Sequence, residues 1–294
     1  MNWPRRLGFG LFIAATAGGS WLAADRPAAA GDGPALVADL HVHPFPGDGA
    51  LTIRQLQREA ARRGVDVIAV TGHNNQAGWR LANAIAPVAD TDVIVLPGQE
   101  VTNPRFHIVA VGIPQLVQWD QDARAVIAQI HALGGAAIAA HPVIASWQPR
   151  DPETLALLDG VEVAHPAREE GQGPAGQIDA LFAAAQGANP AISAVGSSDF
   201  HMAAPLGRCR TYIFADEWSA PGIVRALRAG QTVAEDTDGR LFGPAELVRR
   251  VTPDLRARRT AAAPTVAEKT CALVALLGLA LLSVRDRRPP AQLR

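Results

Sequence analysis

The sequence predicts an α/β fold that carries its chemistry on one rim of a sheet. Short apolar runs recur along the chain, stretches with helical spacing lie between most of them, and several runs end in His, Asp or Glu. Strands alternating with helices of roughly 10–15 residues pair in parallel through right-handed crossovers, giving an α/β barrel or a doubly wound sheet. Polar residues at the C-terminal ends of such strands converge. With 294 residues and 48% hydrophobic content, the chain is long enough for one large core.

Taken in order, the chain opens with Arg5 and Arg6 before an apolar segment from Leu7 to Ala24, and Ala28-Ala29-Ala30 then offers small residues for cleavage. This predicts an export signal over residues 1–30, cleaved near Gly31 or kept as a signal anchor, with the following domain outside the cytoplasm on the periplasmic side. The expected strands are Leu36–Leu40, Val65–Val70, Val93–Leu96, Ile108–Val111, Ala136–Ala140, Val161–Ala164, Ala191–Val195 and Thr211–Phe214. Thr52–Arg63, stopped by Gly64, and Asp122–Leu133, stopped by Gly134-Gly135, read as amphipathic helices. The catalytic domain is expected over 31–248. Residues 249–269, rich in Arg, Ala, Thr and Pro without clean periodicity, read as a tether. The apolar segment within 270–285 reads as a C-terminal transmembrane helix, although the 14 residues Cys271–Val284 reach only about 21 Å against a hydrocarbon core of ~30 Å. A basic tail, 286–294, follows.

Composition narrows the chemistry. There are 27 basic against 28 acidic residues, so no electrostatic footprint for long nucleic acid exists. Cys209 and Cys271 are the two cysteines, too few for a disulfide framework or a cysteine-rich zinc site. The single lysine, Lys269, lies outside the core and excludes Schiff-base and Ser-Lys mechanisms there. Any metal must be held by His and carboxylates.

The run Asp39-Leu40-His41-Val42-His43-Pro44 supplies the first such pair, because a strand period of 2 puts His41 and His43 on one face. His73 follows Val70-Thr71-Gly72, Glu100 follows Val93–Leu96, His141 ends Ala136–Ala140, and Asp199 and His201 follow the strand ending at Val195. His107 precedes its apolar run, which requires a strand of opposite sense or a loop contribution. His131 falls in mid-helix and reads as a surface or packing residue. His165, after Val161–Ala164 and near Glu162, reads either as an outer support of the cluster or as a turn residue before Pro166.

Asp39-x-His41-x-His43 with Asp48-Gly49, Thr71-Gly72-His73-Asn74, Gly98-x-Glu100, His107, His141-Pro142 and Gly196-Ser197-Ser198-Asp199-Phe200-His201 run in an order that resembles the PHP (polymerase and histidinol phosphatase) family of metal-dependent phosphoesterases, over about residues 36–236. The resemblance implies a distorted seven-stranded β/α barrel with two or three divalent metals at its rim. It implies His41, His43, Glu100 and Asp199 around one metal, Glu100 bridging to a second held by His107 and His141, and Asp48, His73 and His201 around a third. His43, Asp199 and His201 are the candidate catalytic groups. The departure is Gly72, where the family has an Asp before the His, so a carboxylate that would orient that imidazole is missing.

Imidazole with carboxylate suits zinc, manganese or iron. Close cations neutralise phosphate oxygens and lower the pKa of bound water, which makes hydrolysis of a small phosphate ester the natural use. Arg105, Arg208 and Arg210 are candidate phosphate clamps, or solvated surface arginines. Trp79 and Trp147 offer rings for a base or sugar, or caps for the barrel. Three alternatives stay open: a phosphodiesterase or nuclease-like hydrolase with the same site, an amidohydrolase-type hydrolase with Glu100 as its bridging ligand, and a membrane-tethered metal-binding module without turnover.

Overall fold

The computed structural model describes residues 3–22, 35–85, 88, 93–143, 147–169, 175–202, 205–257 and 266–283. By contacts it forms two units, Pro27–Ala261 and a second made of Met1–Arg26 with Ala262–Arg294.

The larger unit is a mixed α/β fold around a ten-stranded sheet. Its strands are β1 (Leu36–Val42), β2 (Val67–Val70), β3 (Ile94–Asn103), β4 (Phe106–Val111), β5 (Ala136–Ala139), β6 (Gly160–Ala164), β7 (Ser193–Gly196), β8 (Arg210–Ile213), β9 (Thr232–Glu235) and β10 (Leu241–Phe242). The spatial order is β10-β9-β8-β1-β2-β3-β4-β5-β6-β7. The strand count is therefore ten, not seven. β1 to β7 follow chain order, and β8, β9 and β10 extend the other side of β1 as an antiparallel run. β1, β2, β5, β6 and β7 are buried throughout, as expected of parallel strands covered on both faces.

β7 and β8 nearly close the sheet into a barrel without a backbone ladder. The Thr211 hydroxyl accepts from the Gly196 N–H and donates to the Gly196 carbonyl, both at 2.9 Å, and Thr232 donates to the Ala194 carbonyl. Gly196 permits this approach: a Cβ there would sit 2.4 Å from the Arg210 carbonyl oxygen. β4 runs antiparallel to both β3 and β5, so its N-terminal end shares a rim with the C-terminal ends of its neighbours. That reversal brings His107 to the same rim as the other ligands.

Local chemistry explains the helices. Ile53–Arg62 starts at Thr52, whose hydroxyl accepts from the Gln55 N–H while the Gln55 side chain accepts from the Thr52 N–H, a capping box. It buries Ile53, Leu56 and Ala60. Ala123–Ala132 starts at Asp122, which caps the Ala125 N–H, and buries Val126, Ile127 and Ile130.

Two expected boundaries change. The tether does not begin at residue 249: Val251 and Leu255 are buried with Leu247 against Ile53, Leu56 and Tyr212, and Arg256 pairs with buried Glu235 at 2.8 Å. The missing periodicity reflects short helices, Ala245–Val248 and Pro253–Ala257, which each offer one buried leucine. The expected C-terminal transmembrane helix is not met either. A helix, Val266–Ser283, forms there, but among the described residues no helix is long and apolar enough to cross a membrane. Its apolar stretch Cys271–Leu282 extends about 18 Å, short of a ~30 Å core. In the smaller unit this helix packs on Trp3–Leu22, where a Cβ at Gly8 would meet the Gly278 carbonyl oxygen at 2.6 Å. The expected cleavage site and the basic tail lie outside the described residues.

Candidate metal centre

The rim gathers every histidine and carboxylate expected there. His41 and His43 leave β1 on one face, and His43 is pinned by its N–H to the Phe200 carbonyl at 2.9 Å. His141 and Asp199 adopt left-handed backbone, φ 27° and 50°, as does Asn74 at 47°. Non-glycine residues held there are costly and cluster at functional sites. Asn74 is fixed by reciprocal bonds between its side chain and the Thr102 backbone.

Three sets of donor atoms emerge. In the first, His41 Nε2 lies 3.3 Å from both Glu100 Oε2 and Asp199 Oδ1, and His43 Nε2 lies 3.4 and 3.1 Å from the same oxygens. In the second, Glu100 Oε1 meets His107 Nδ1 at 2.9 Å and His141 Nε2 at 3.2 Å. In the third, Asp48 Oδ2 lies 3.3 Å from both His73 Nε2 and His201 Nε2. Glu100 thus serves the first two sets with different oxygens.

The first set fits a cation. His41 Nε2, His43 Nε2, Glu100 Oε2 and Asp199 Oδ1 are buried and lack hydrogen-bond partners. Four such atoms left unmatched would be expensive. The opposite nitrogens fix the tautomers, since His41 Nδ1 meets Glu162 Oε1 at 3.0 Å and His43 Nδ1 meets Asp48 Oδ1 at 3.1 Å. A carboxylate on Nδ1 leaves the Nε2 lone pair for a metal.

Charge balance points the same way. Burial opposes a charge on His43, but Asp199 and Glu100 overcome it and push the imidazole up to about 9. His41 is raised too, with burial outweighed by Asp199, Glu162 and Glu100. Burial would raise Glu100 and Asp199, yet the charge of His41 and the other imidazoles crowded around them hold both well below the usual carboxylate range. The carboxylates therefore hold cations in place, and a metal would replace the protons.

Two supporting carboxylates carry no assigned role in the sequence reading. Glu162 accepts from His41 Nδ1, from the Ser197 hydroxyl and from the His141 N–H at 2.6 Å, and is held down to about 2, its burial overcome by His41. A lone Glu between valines in a buried strand was its signal. Asp39 accepts from the Ser198 N–H and hydroxyl and the Gly207 N–H, tying β1 to the Asp199 loop; burial raises its pKa. At Gly72 a Cβ would meet the Asn75 amide at 3.3 Å; His73 Nδ1 itself has the Thr102 hydroxyl at 2.7 Å and the Glu100 carboxylate at 2.8 Å, so a carboxylate reaches this imidazole from β3 and not from position 72.

The remaining candidates separate. Arg105 is exposed, beside a cavity of about 300 Å³ lined also by Asp122, Arg124, Gln148 and Asp151. Arg208 is partly exposed, while Arg210 is buried with Nε and Nη2 on the Gly207 carbonyl. Trp147 is buried against Phe106 and caps the core. His131 bonds Asp159 at 2.8 Å, away from the rim set, and His165 lies in it, 3.6 Å from Asp199.

Fold and donor sets define a barrel-like α/β protein with histidine–carboxylate clusters suited to divalent metal ions. A PHP-associated family model matches residues 189–232. The chain is similar to phosphoribosyl 1,2-cyclic phosphate 1,2-diphosphodiesterase of Eggerthella lenta, 33% identical over 86 residues, covering 27% of this chain and 32% of that protein. It also matches an uncharacterised protein of Methanocaldococcus jannaschii, 26% identical over 149 residues, 46% of this chain and 85% of the other. In fold it is similar to a two-domain protein from Bacteroides vulgatus containing a predicted PHP-like metal-dependent phosphoesterase, with TM-score 0.58, 22% identity, and coverage of 74% of this chain and 68% of that one. PsfC from Pseudomonas syringae matches with TM-score 0.50 and 17% identity over 77% of this chain and 98% of its own. Over these stretches the chain is similar to PHP-type proteins, and it spans about a third of the length of the Eggerthella lenta relative.

Proposed function

We propose that the protein is a metal-dependent phosphoesterase that hydrolyses a small phosphorylated substrate. One observation carries this reading: four buried donor atoms of His41, His43, Glu100 and Asp199, none with a hydrogen-bond partner, face one another at 3.1–3.4 Å. The proposed ligands are those four, then Glu100 with His107 and His141, then Asp48, His73 and His201. Divalent ions held there would supply Lewis-acid charge for phosphate oxygens and acidify water. The chain supplies the rest. Glu162 and Asp48 keep the Nδ1 protons of His41 and His43, so the Nε2 lone pairs stay aimed inward. Asp39 holds the loop that presents Asp199. A small phosphodiester is the second reading, favoured by the match to the Eggerthella lenta diphosphodiesterase.

The test is hydrolysis of p-nitrophenyl phosphate and bis(p-nitrophenyl) phosphate by the full chain with manganese, zinc or iron, alongside His43→Ala. Turnover that disappears with chelation and in the variant supports the reading, and the preferred ester separates its two forms. Stoichiometric metal without turnover of either ester favours a metal-binding module. Export of the catalytic unit is part of the same proposal, on the strength of Arg5, Arg6 and the apolar run after them. N-terminal sequencing of extracytoplasmic protein would find a start near Gly31; protein confined to the cytoplasm would refute it.

A further inference from the structure

His165 sits just beyond β6, beside the cluster, and is only 3% exposed. Its ring centroid lies 5.0 Å from that of His141 and 6.3 Å from that of His41. Its Nδ1 accepts the Ala167 N–H at 3.0 Å. A neutral imidazole accepting at Nδ1 carries its proton on Nε2. That Nε2 is buried and makes no hydrogen bond; its near acceptor is Asp199 Oδ2, in loose ion-pair contact at 3.6 Å and just too far for a good hydrogen bond.

One use would be a further cation site, since donor atoms of His41, Glu162 and His165 fall within 4.8 Å of one another. The hydrogen bonds disfavour it. Both Glu162 oxygens are taken, by His41 Nδ1 and the Ser197 hydroxyl on one side and the His141 N–H on the other. Nε2 of His165, carrying the proton, has no lone pair to give. The contrast with His41 and His43 is chemical. Their Nδ1 atoms face carboxylates and leave Nε2 as an acceptor, whereas the His165 Nδ1 faces a backbone N–H and leaves Nε2 as a donor.

A buried donor among carboxylates and metal-directed lone pairs needs an acceptor that arrives with the substrate. We propose that His165 donates its Nε2–H to a phosphoryl oxygen of the substrate, making it a substrate-contacting residue outside the metal-ligand set. This rests on the phosphoesterase reading. A phosphoryl oxygen is the matching acceptor, since it carries negative charge and such hydrogen bonds are the stronger kind.

The test compares the full-length wild type with His165→Ala and His165→Gln, all manganese-loaded. It reads bound metal, affinity for inorganic phosphate by calorimetry, and kcat and KM on both nitrophenyl esters. His165→Ala is expected to keep its metal and to lose roughly ten- to a hundredfold in phosphate affinity and kcat/KM, the range for a lost hydrogen bond to a charged group. His165→Gln, whose amide N–H reaches about as far as Nε2, is expected to recover part of both. Metal content that falls in step with activity overturns the proposal, because His165 then serves the metal set. Wild-type phosphate affinity and kcat/KM in His165→Ala overturn it as well. A metal-loaded wild type that neither binds phosphate nor cleaves either ester removes the phosphoesterase reading, and the proposal with it.

Discussion

Glu100 and Asp48 each gather histidines at the same rim, but in different surroundings. Glu100, His41 and His43 have side chains with no exposure, whereas Asp48, His73 and His201 are 42%, 38% and 32% exposed. The buried side is also held from behind, by Glu162 on His41 and by Asp39 through the Asp199 loop. On the exposed side His73 is shared between the Thr102 hydroxyl and Glu100 itself, and among the described residues no further buried carboxylate backs it. Ligands locked by a packed outer layer bind metal tightly, and ligands next to solvent exchange it. The difference predicts tight metal at the Glu100 sets and weaker metal at the Asp48 set.

The largest effect should come from Glu100→Gln, which removes a charge shared by two sets. Metal in both should be lost and turnover should fall on the order of a thousandfold, about 4 kcal/mol of barrier. Metal analysis and steady-state kinetics check it; retained metal would break the comparison. Glu162→Gln should leave ligands present but His41 less well oriented, with a loss of roughly 10–100-fold in metal affinity or activity. Asp48→Asn should lose about one equivalent of metal, and turnover should drop by about tenfold or less, under ~1.4 kcal/mol. Loss of all metal in that variant would show that the sets are not separable.

The pH dependence is the smallest expected effect and belongs to the metal-free protein. His43 is raised from 6.5 to about 9, so its contribution to stability is complete below about pH 6.5 and is lost as pH rises through about 9. The melting temperature of chelated protein should fall over that window, and metal-loaded protein should be flatter because the proton has been displaced. Equal slopes in both forms would contradict a shared use of Nε2 by proton and metal.

Much of this was legible because strand ends and ligands are local signals. The eight expected strands correspond to β1 to β8, and of the two explanations open for His107, a reversed strand or a loop, β4 is the reversed strand. What escaped the sequence was side-chain geometry and weak patterning. β10 is the pair Leu241–Phe242, too short for any period, and Val251 and Leu255 are single apolar residues among arginines. Glu162 and Asp39 were visible as charges, but their work depends on which backbone N–H groups the fold brings within reach. His165 could not be resolved between support and turn, since the deciding fact is the Ala167 N–H on its Nδ1. The apolar C-terminal run gave the right helix, but among the described residues no helix is long and apolar enough to cross a membrane.

The most direct test of the central claim is calorimetric titration of chelator-stripped full-length protein with manganese and with zinc, followed by timed removal with a chelator. Two tight equivalents and a weaker one that leaves first would match the more buried pair of sets around Glu100 and the more exposed set around Asp48. No binding, or three equivalents leaving together, would contradict it.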